Sequence, residues 1–143
     1  MKQQRGAQCV IFNHEDSTLY CVFNSKHNKY APIGGKYEDD ETDGITALLR
    51  ETNEELEIGD VIRIRELGVH TLTDTLSDTI HFVETFILYV SSIKSPKEEF
   101  LKLVKLNDVP LHLLNKNTAY TSLVSIVDSI FSNCEWKTDA AFL

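Results

Sequence analysis

The stretch Gly34-Gly35-Lys36-Tyr37-Glu38-Asp39-Asp40-Glu41, joined nine positions later by Arg50-Glu51-Thr52-Asn53-Glu54-Glu55, decides how this chain is read. A glycine pair opens a loop, an acidic turn follows, and a helix predicted over about 43–56 carries three glutamates and one arginine. At about 100° per residue, Ile45, Leu48, Leu49, Thr52 and Leu56 share one face of that helix. Glu51, Glu54 and Glu55 share another, at spacings i, i+3 and i+4, so their carboxylates converge. Three like charges on one face destabilise an isolated helix. A hard divalent cation offsets that cost, because Mg²⁺ or Mn²⁺ takes oxygen ligands and keeps several waters. The bland alternative is a solvated acidic face, and the glycine pair upstream with Arg50 in place weighs against it.

Outward from this stretch, the sequence reads as alternating strands and turns. Residues 7–13 and 18–23 form a predicted hairpin around the polar turn 14–17. Residues 30–33 are extended by Pro32. Residues 61–73 and 79–90 read as two further strands around the turn 74–78. Residues 91–98 read as a loop and 100–105 as an edge strand. A helical turn over 111–114 and an amphipathic helix over 118–131 follow, and the tail after Cys134 is expected to be loose. Strands, one helix, strands and a final helix predict an α+β layered fold, an α/β/α sandwich, in a single domain over residues 1–143.

The totals narrow the function. A formal net charge of -8 argues against broad nucleic-acid or anionic-membrane binding, while a bound cation still permits a phosphate-bearing substrate. The three cysteines, Cys9, Cys21 and Cys134, lack metal-ligand spacing and read as free thiols. No apolar run approaches the ~20 residues of a membrane span, and no signal-peptide core follows the basic start. A cytoplasmic setting is the resulting expectation.

The motif resembles the Nudix hydrolase signature across residues 35–58. Gly35, Glu41, Arg50, Glu51, Glu54, Glu55 and Ile58 match it. Eight residues rather than seven separate Glu41 from Arg50, Thr52 replaces an aliphatic residue, and Glu57 replaces a glycine. The resemblance implies the Nudix fold, a mixed sheet between helices. It also implies Mg²⁺- or Mn²⁺-dependent cleavage of a pyrophosphate bond in a nucleoside diphosphate linked to another group. In that reading Glu51, Glu54, Glu55 and the Gly34 carbonyl are the metal ligands, and Glu51 is also a proton acceptor. Arg50, about one turn from Glu54, holds that carboxylate in place. Glu41 takes a similar structural role.

Many family members add a carboxylate from outside the motif. Glu84, alone on the apolar strand face of Ile80, Phe82, Phe86 and Leu88, is the candidate here, ahead of Asp78 and Asp74. Lys36 and Tyr30 are candidate substrate contacts, Tyr30 by stacking on a base, with core packing its favoured alternative. His81 reads as a sheet histidine rather than a base. The extra residue is expected to be absorbed near Asp43-Gly44, leaving Arg50–Glu55 regular. The alternative function is a Nudix-fold nucleotide-binding or regulatory module that has lost the reaction. Expected partners are a small nucleotide and, at most, a second copy of the chain.

Overall fold

The computed structural model describes residues 1–109 and 121–133. In chain order these form β1 Lys2–Asn13, β2 Thr18–Asn24, β3 Lys29–Ala31, β4 Ile33–Lys36, α1 Gly44–Glu55, β5 Leu56–Ile58 and β6 Val61–Asp74. There follow β7 Thr79–Val90, β8 Ile93–Pro96, β9 Leu101–Lys105, a short 3-10 turn Leu106–Asp108 and α2 Thr121–Asn133. The expected helical turn at 111–114, the first residues of the last helix and the tail lie outside the described residues.

Polar turn chemistry sets the hairpins. Asn13 Oδ1 accepts from Glu15 N, Asn24 Oδ1 from Lys26 N and Asp74 Oδ1 from Leu76 N, each at 3.0 Å. Such side-chain-to-backbone bonds let Asn and Asp substitute for a turn's own hydrogen bonds. The turns close with Ser17, Asn28 and Asp78 in the left-handed region, at φ of 53°, 54° and 52°.

The central strand is β1, which runs parallel to β7 along its whole length. On its other side it is shared. Antiparallel β4 takes Gly6–Cys9 and antiparallel β2 takes Ile11–Asn13. The sheet therefore runs β3-β2-β1-β7-β6, with β4 on β1 and β9 on β2.

Alternation along β1 and β7 divides the core in two. Ala7, Cys9 and Ile11 with Phe86, Leu88 and Val90 pack beneath Ala47 and Leu48 of α1. Val10 and Phe12 with Ile87 and Tyr89 pack beneath Leu123, Ile126, Val127 and Ile130 of α2. The helices thus cover opposite faces of a mixed sheet, as the sequence predicts. Cys9 and Cys21 are buried free thiols whose burial pushes their titration up, Cys21 to about 12.

Three expectations are corrected. The buried face of α1 is Gly44, Ala47, Leu48 and Thr52, whereas Ile45 is 45% exposed. The stripe against the sheet is rotated toward Gly44, and this carries Glu51 and Glu55 to its edge. The helix ends one residue early, because Leu56 turns extended (φ -132°, ψ 150°) and starts β5. The segment 91–98 is not a bare loop, since it contains β8, which pairs antiparallel with β5. Glu57 sits in β5 beside Ser95, so no helix-terminating glycine is needed there. Within α1 the turns from Arg50 to Glu55 are unbroken.

Candidate active site

The start of α1 is fixed by Asp43, whose side chain accepts from Thr46 N at 2.8 Å and Thr46 Oγ1 at 2.9 Å. The end is fixed by the chain after β8, where Lys97 N donates to Glu55 O at 2.8 Å. Between these ends the helix lies against β4, where Gly35 permits the approach, while Gly34 lets β4 lie close on β1. Gly34 has φ 149°, and a Cβ there would strike Ala7 O and Gln8 Cα. A Cβ on Gly35 would run into the Glu51 carboxylate. Gly34 answers the conformational reading of the glycine pair, whereas Gly35 is required for space.

The three motif glutamates meet different surroundings. The Glu51 side chain is 17% exposed and that of Glu54 is 53% exposed. Glu55 is half-buried, and its Oε2 accepts from Gly34 N at 3.1 Å. Burial foremost pushes the Glu55 carboxyl up to about 7, against the Gly34 hydrogen bond and with help from Glu51, Glu54 and Glu98. Burial also raises Glu51, opposed by Arg50.

Arg50 clamps the acidic loop onto the helix. Its Nε and one terminal nitrogen donate to the two oxygens of Glu41 at 2.9 and 2.8 Å, a bidentate pair, and that nitrogen also reaches Lys36 O at 2.9 Å. The other terminal nitrogen donates to Glu51 Oε1 at 3.0 Å and to both Glu54 oxygens at 3.2 Å. The Arg50–Glu54 contact is the expected one. The Arg50–Glu41 pair forms despite the extra residue between them, and its hydrogen bonds hold Glu41 below the usual carboxylate range. Glu41 also accepts from Glu38 N at 2.7 Å, which tightens the turn.

The other candidates are dispersed. Glu84 lies on the α1 face, but its Oε1 accepts from Tyr37 OH at 2.6 Å and from Arg5 at 3.3 Å. Its other oxygen lies where a Cβ on Gly44 would stand, so this glycine is needed for space rather than for an unusual backbone angle. Gly44 precedes Glu51 by seven residues, about 10 Å of helix. The structure therefore holds Glu84 beside Gly44 at the start of α1, with Tyr37 and Arg5 as its partners. Asp74 serves the β6–β7 turn but also lines the cavity described below, and Asp78 lies 3.6 Å from the N-terminal amine. Tyr30 packs edge-on to Phe23 at 5.1 Å between ring centroids, and it is not among the residues lining the cavity described below.

The outside carboxylate nearest in effect to the motif is Glu98, which raises Glu55 from the chain just past β8. No local pattern marks Glu98, because its position depends on the β5–β8 pairing and on Lys97 capping α1.

A cavity of about 610 Å³ opens beside this cluster, lined by Gln8, Gly34, Gly35, Lys36, Glu55 and His81 among others. Among the described residues, no three His, Cys, Asp or Glu side chains stand in ready metal-ligating array. The donors nonetheless fit a hard divalent cation. They are all oxygen, and Glu55 has no ion-pair partner among the described residues while sitting beside two further carboxylates. Glu54 is exposed enough to turn from Arg50 toward a ligand.

No protein-family model matches the sequence, and no curated protein sequence matches it. Solved structures do match. A NUDIX hydrolase from Nitrosomonas europaea superposes with a TM-score of 0.65 at 15% identity, over 92% of this chain and 90% of that one. The E. coli ORF135 protein gives 0.65 at 17% identity, over 96% and 95%. The NUDIX domain of Shewanella oneidensis NrtR, solved with ADP ribose, gives 0.65 at 15% identity, over 92% and 88%. The chain therefore has the Nudix fold. Among the described residues no helix is long and apolar enough to cross a membrane.

Proposed function

We propose that the protein is a divalent-metal-dependent Nudix-type hydrolase that cleaves the pyrophosphate bond of a nucleoside diphosphate linked to a second group. The observation that carries this reading is Glu55, a half-buried carboxylate at the wall of a cavity, held by Gly34 N, without an ion-pair partner among the described residues and close to Glu51 and Glu54. Burying a charge without a partner is costly, and a bound cation supplies that partner.

Glu51, Glu54, Glu55 and the Gly34 carbonyl would hold Mg²⁺ or Mn²⁺. When bound, the ion neutralises phosphate oxygens and acidifies water. Glu51, its carboxyl raised by burial and packed against Gly35, would accept the proton of the attacking water. Arg50 keeps Glu51 and Glu54 aimed and ties the Lys36–Glu41 turn to the helix. Lys36 lines the cavity and offers a cation to the substrate's phosphates. The buried free thiols Cys9 and Cys21 accord with a reducing, cytoplasmic setting.

A nucleotide-binding module without turnover is the second reading. It is favoured by Arg50, whose ion pairs with Glu51 and Glu54 would have to loosen for those carboxylates to take an ion. A nucleotide library assayed with Mg²⁺, with Mn²⁺ and with EDTA separates the two. The hydrolase reading expects at least one diphosphate-linked nucleoside to be cleaved with metal and none in EDTA. Binding without cleavage across the library would establish the module.

A further inference from the structure

Gln8 is 4% exposed, yet it lines the cavity. It faces the α2 side of the sheet, the side of Val10 and Phe12, opposite the face that receives Glu51. Its amide is held in one orientation by a directed chain of hydrogen bonds. Thr85 Oγ1 donates to Val83 O at 3.2 Å, and a carbonyl cannot return a proton. The Thr85 oxygen must therefore accept from its other neighbour, and Gln8 Nε2 donates to it at 3.0 Å. The amide nitrogen faces Thr85, so the amide oxygen is the end left over. That oxygen has no hydrogen-bond partner among the described residues. It is not among the buried atoms sealed from solvent, so a donor on a ligand in the cavity can reach it.

We infer that Gln8 is a specificity-determining residue that accepts a hydrogen bond from the exocyclic amine of the substrate's nucleobase. The inference rests on the nucleotide reading of the cavity and adds where the base lies. Gly34 pairs with Gln8 in the β1–β4 ladder, and it carries no side chain. A nucleotide whose base meets Gln8 can extend its phosphates along the cavity toward Glu55 and Lys36, which line it too. Thr85 is a positioning residue that keeps the amide from turning its donor end to the ligand. A base lacking the amine leaves the Gln8 oxygen unpaired, and sites built around a substrate N–H reject such analogues strongly.

The test measures binding of nucleoside monophosphates by calorimetry, so it does not depend on turnover. The paired probes are AMP against purine riboside 5′-monophosphate, which lacks only the amine, and CMP against UMP. The parent is expected to prefer the amine-bearing member of at least one pair by about tenfold. Gln8→Leu and the longer Gln8→Met are each expected to bring that ratio to about one while leaving the analogue's own affinity unchanged. Thr85→Val is expected to reduce the ratio without erasing it. Equal binding of both members by the parent, or a ratio that survives whichever Gln8 variant folds, overturns the inference. Absence of any monophosphate binding at millimolar concentration overturns it too. Selective binding without hydrolysis of any library compound would remove the enzyme reading and leave this assignment standing.

Discussion

Replacing Glu55 with Gln removes the buried charge and leaves an oxygen to accept from Gly34 N. In the metal-free parent the carboxyl titrates near 7 rather than near 4.5, because burial disfavours the anion. The folded state therefore binds a proton more readily than the unfolded state between those values. Stability then falls as pH rises through that window, since the slope follows the protons bound by the unfolded state minus those bound by the native state. The interval of 2.5 pH units from 4.5 to 7, at about 1.4 kcal/mol per unit, gives an upper bound of about 3.5 kcal/mol. In EDTA, Glu55→Gln is expected to match the parent near pH 4.5 and to exceed it at pH 8 by an amount approaching that bound. Urea unfolding of both proteins at half-unit steps from pH 4.5 to 8 measures the difference. A difference that does not change with pH, or a variant less stable than the parent at pH 8, refutes the reasoning that Glu55 is a strained, uncompensated carboxylate.

Other perturbations follow from the same geometry. Added Mg²⁺ or Mn²⁺ at 100 times its dissociation constant is expected to stabilise the parent by about 2.7 kcal/mol, several degrees of melting temperature by calorimetry, and Glu54→Gln is expected to lose most of that gain. Arg50→Lys loses the bidentate hold on Glu41, and steady-state kinetics are expected to show turnover down by about a hundredfold with binding of substrate less affected. Thr52→Val is expected to raise the melting temperature, with a gain of about 1 kcal/mol, because the buried Thr52 hydroxyl finds no oxygen or nitrogen partner among the described residues and meets only the Cys9 thiol. Gly44→Ala is expected to cost about 1–3 kcal/mol in chemical denaturation by crowding the Glu84 carboxylate, and to become neutral or mildly stabilising in a Glu84→Ala background.

The order of elements was legible because each is written locally. The β6–β7 hairpin is a pair of long β-rich runs around an aspartate-closed turn, and it appears at its expected place. The Arg50–Glu55 block was legible because helical spacing alone brings those side chains to neighbouring positions. What local pattern could not carry was anything set by a second element. Ile45 fits a helical apolar stripe, yet the packed stripe is chosen by where Gly44 can approach Glu84. Glu84 reads as a carboxylate without a partner, and its partners Tyr37 and Arg5 are 47 and 79 residues away. The short pairing of β5 with β8, too weak to show as a pattern, sets the place of Lys97 and hence of Glu98. In the sequence Gln8 is one polar residue within a strand, and its role depends on Thr85 across the parallel ladder.

Hydrolysis in ¹⁸O-labelled water tests the central claim most directly, with the product phosphates analysed by mass spectrometry for the most responsive nucleotide of the library. The account predicts a single ¹⁸O on one phosphate-bearing product, no turnover in EDTA, and recovery when excess Mg²⁺ is returned to the parent but not to Glu54→Gln. Full turnover in EDTA, or label on a carbon-bound oxygen rather than on phosphorus, would contradict it.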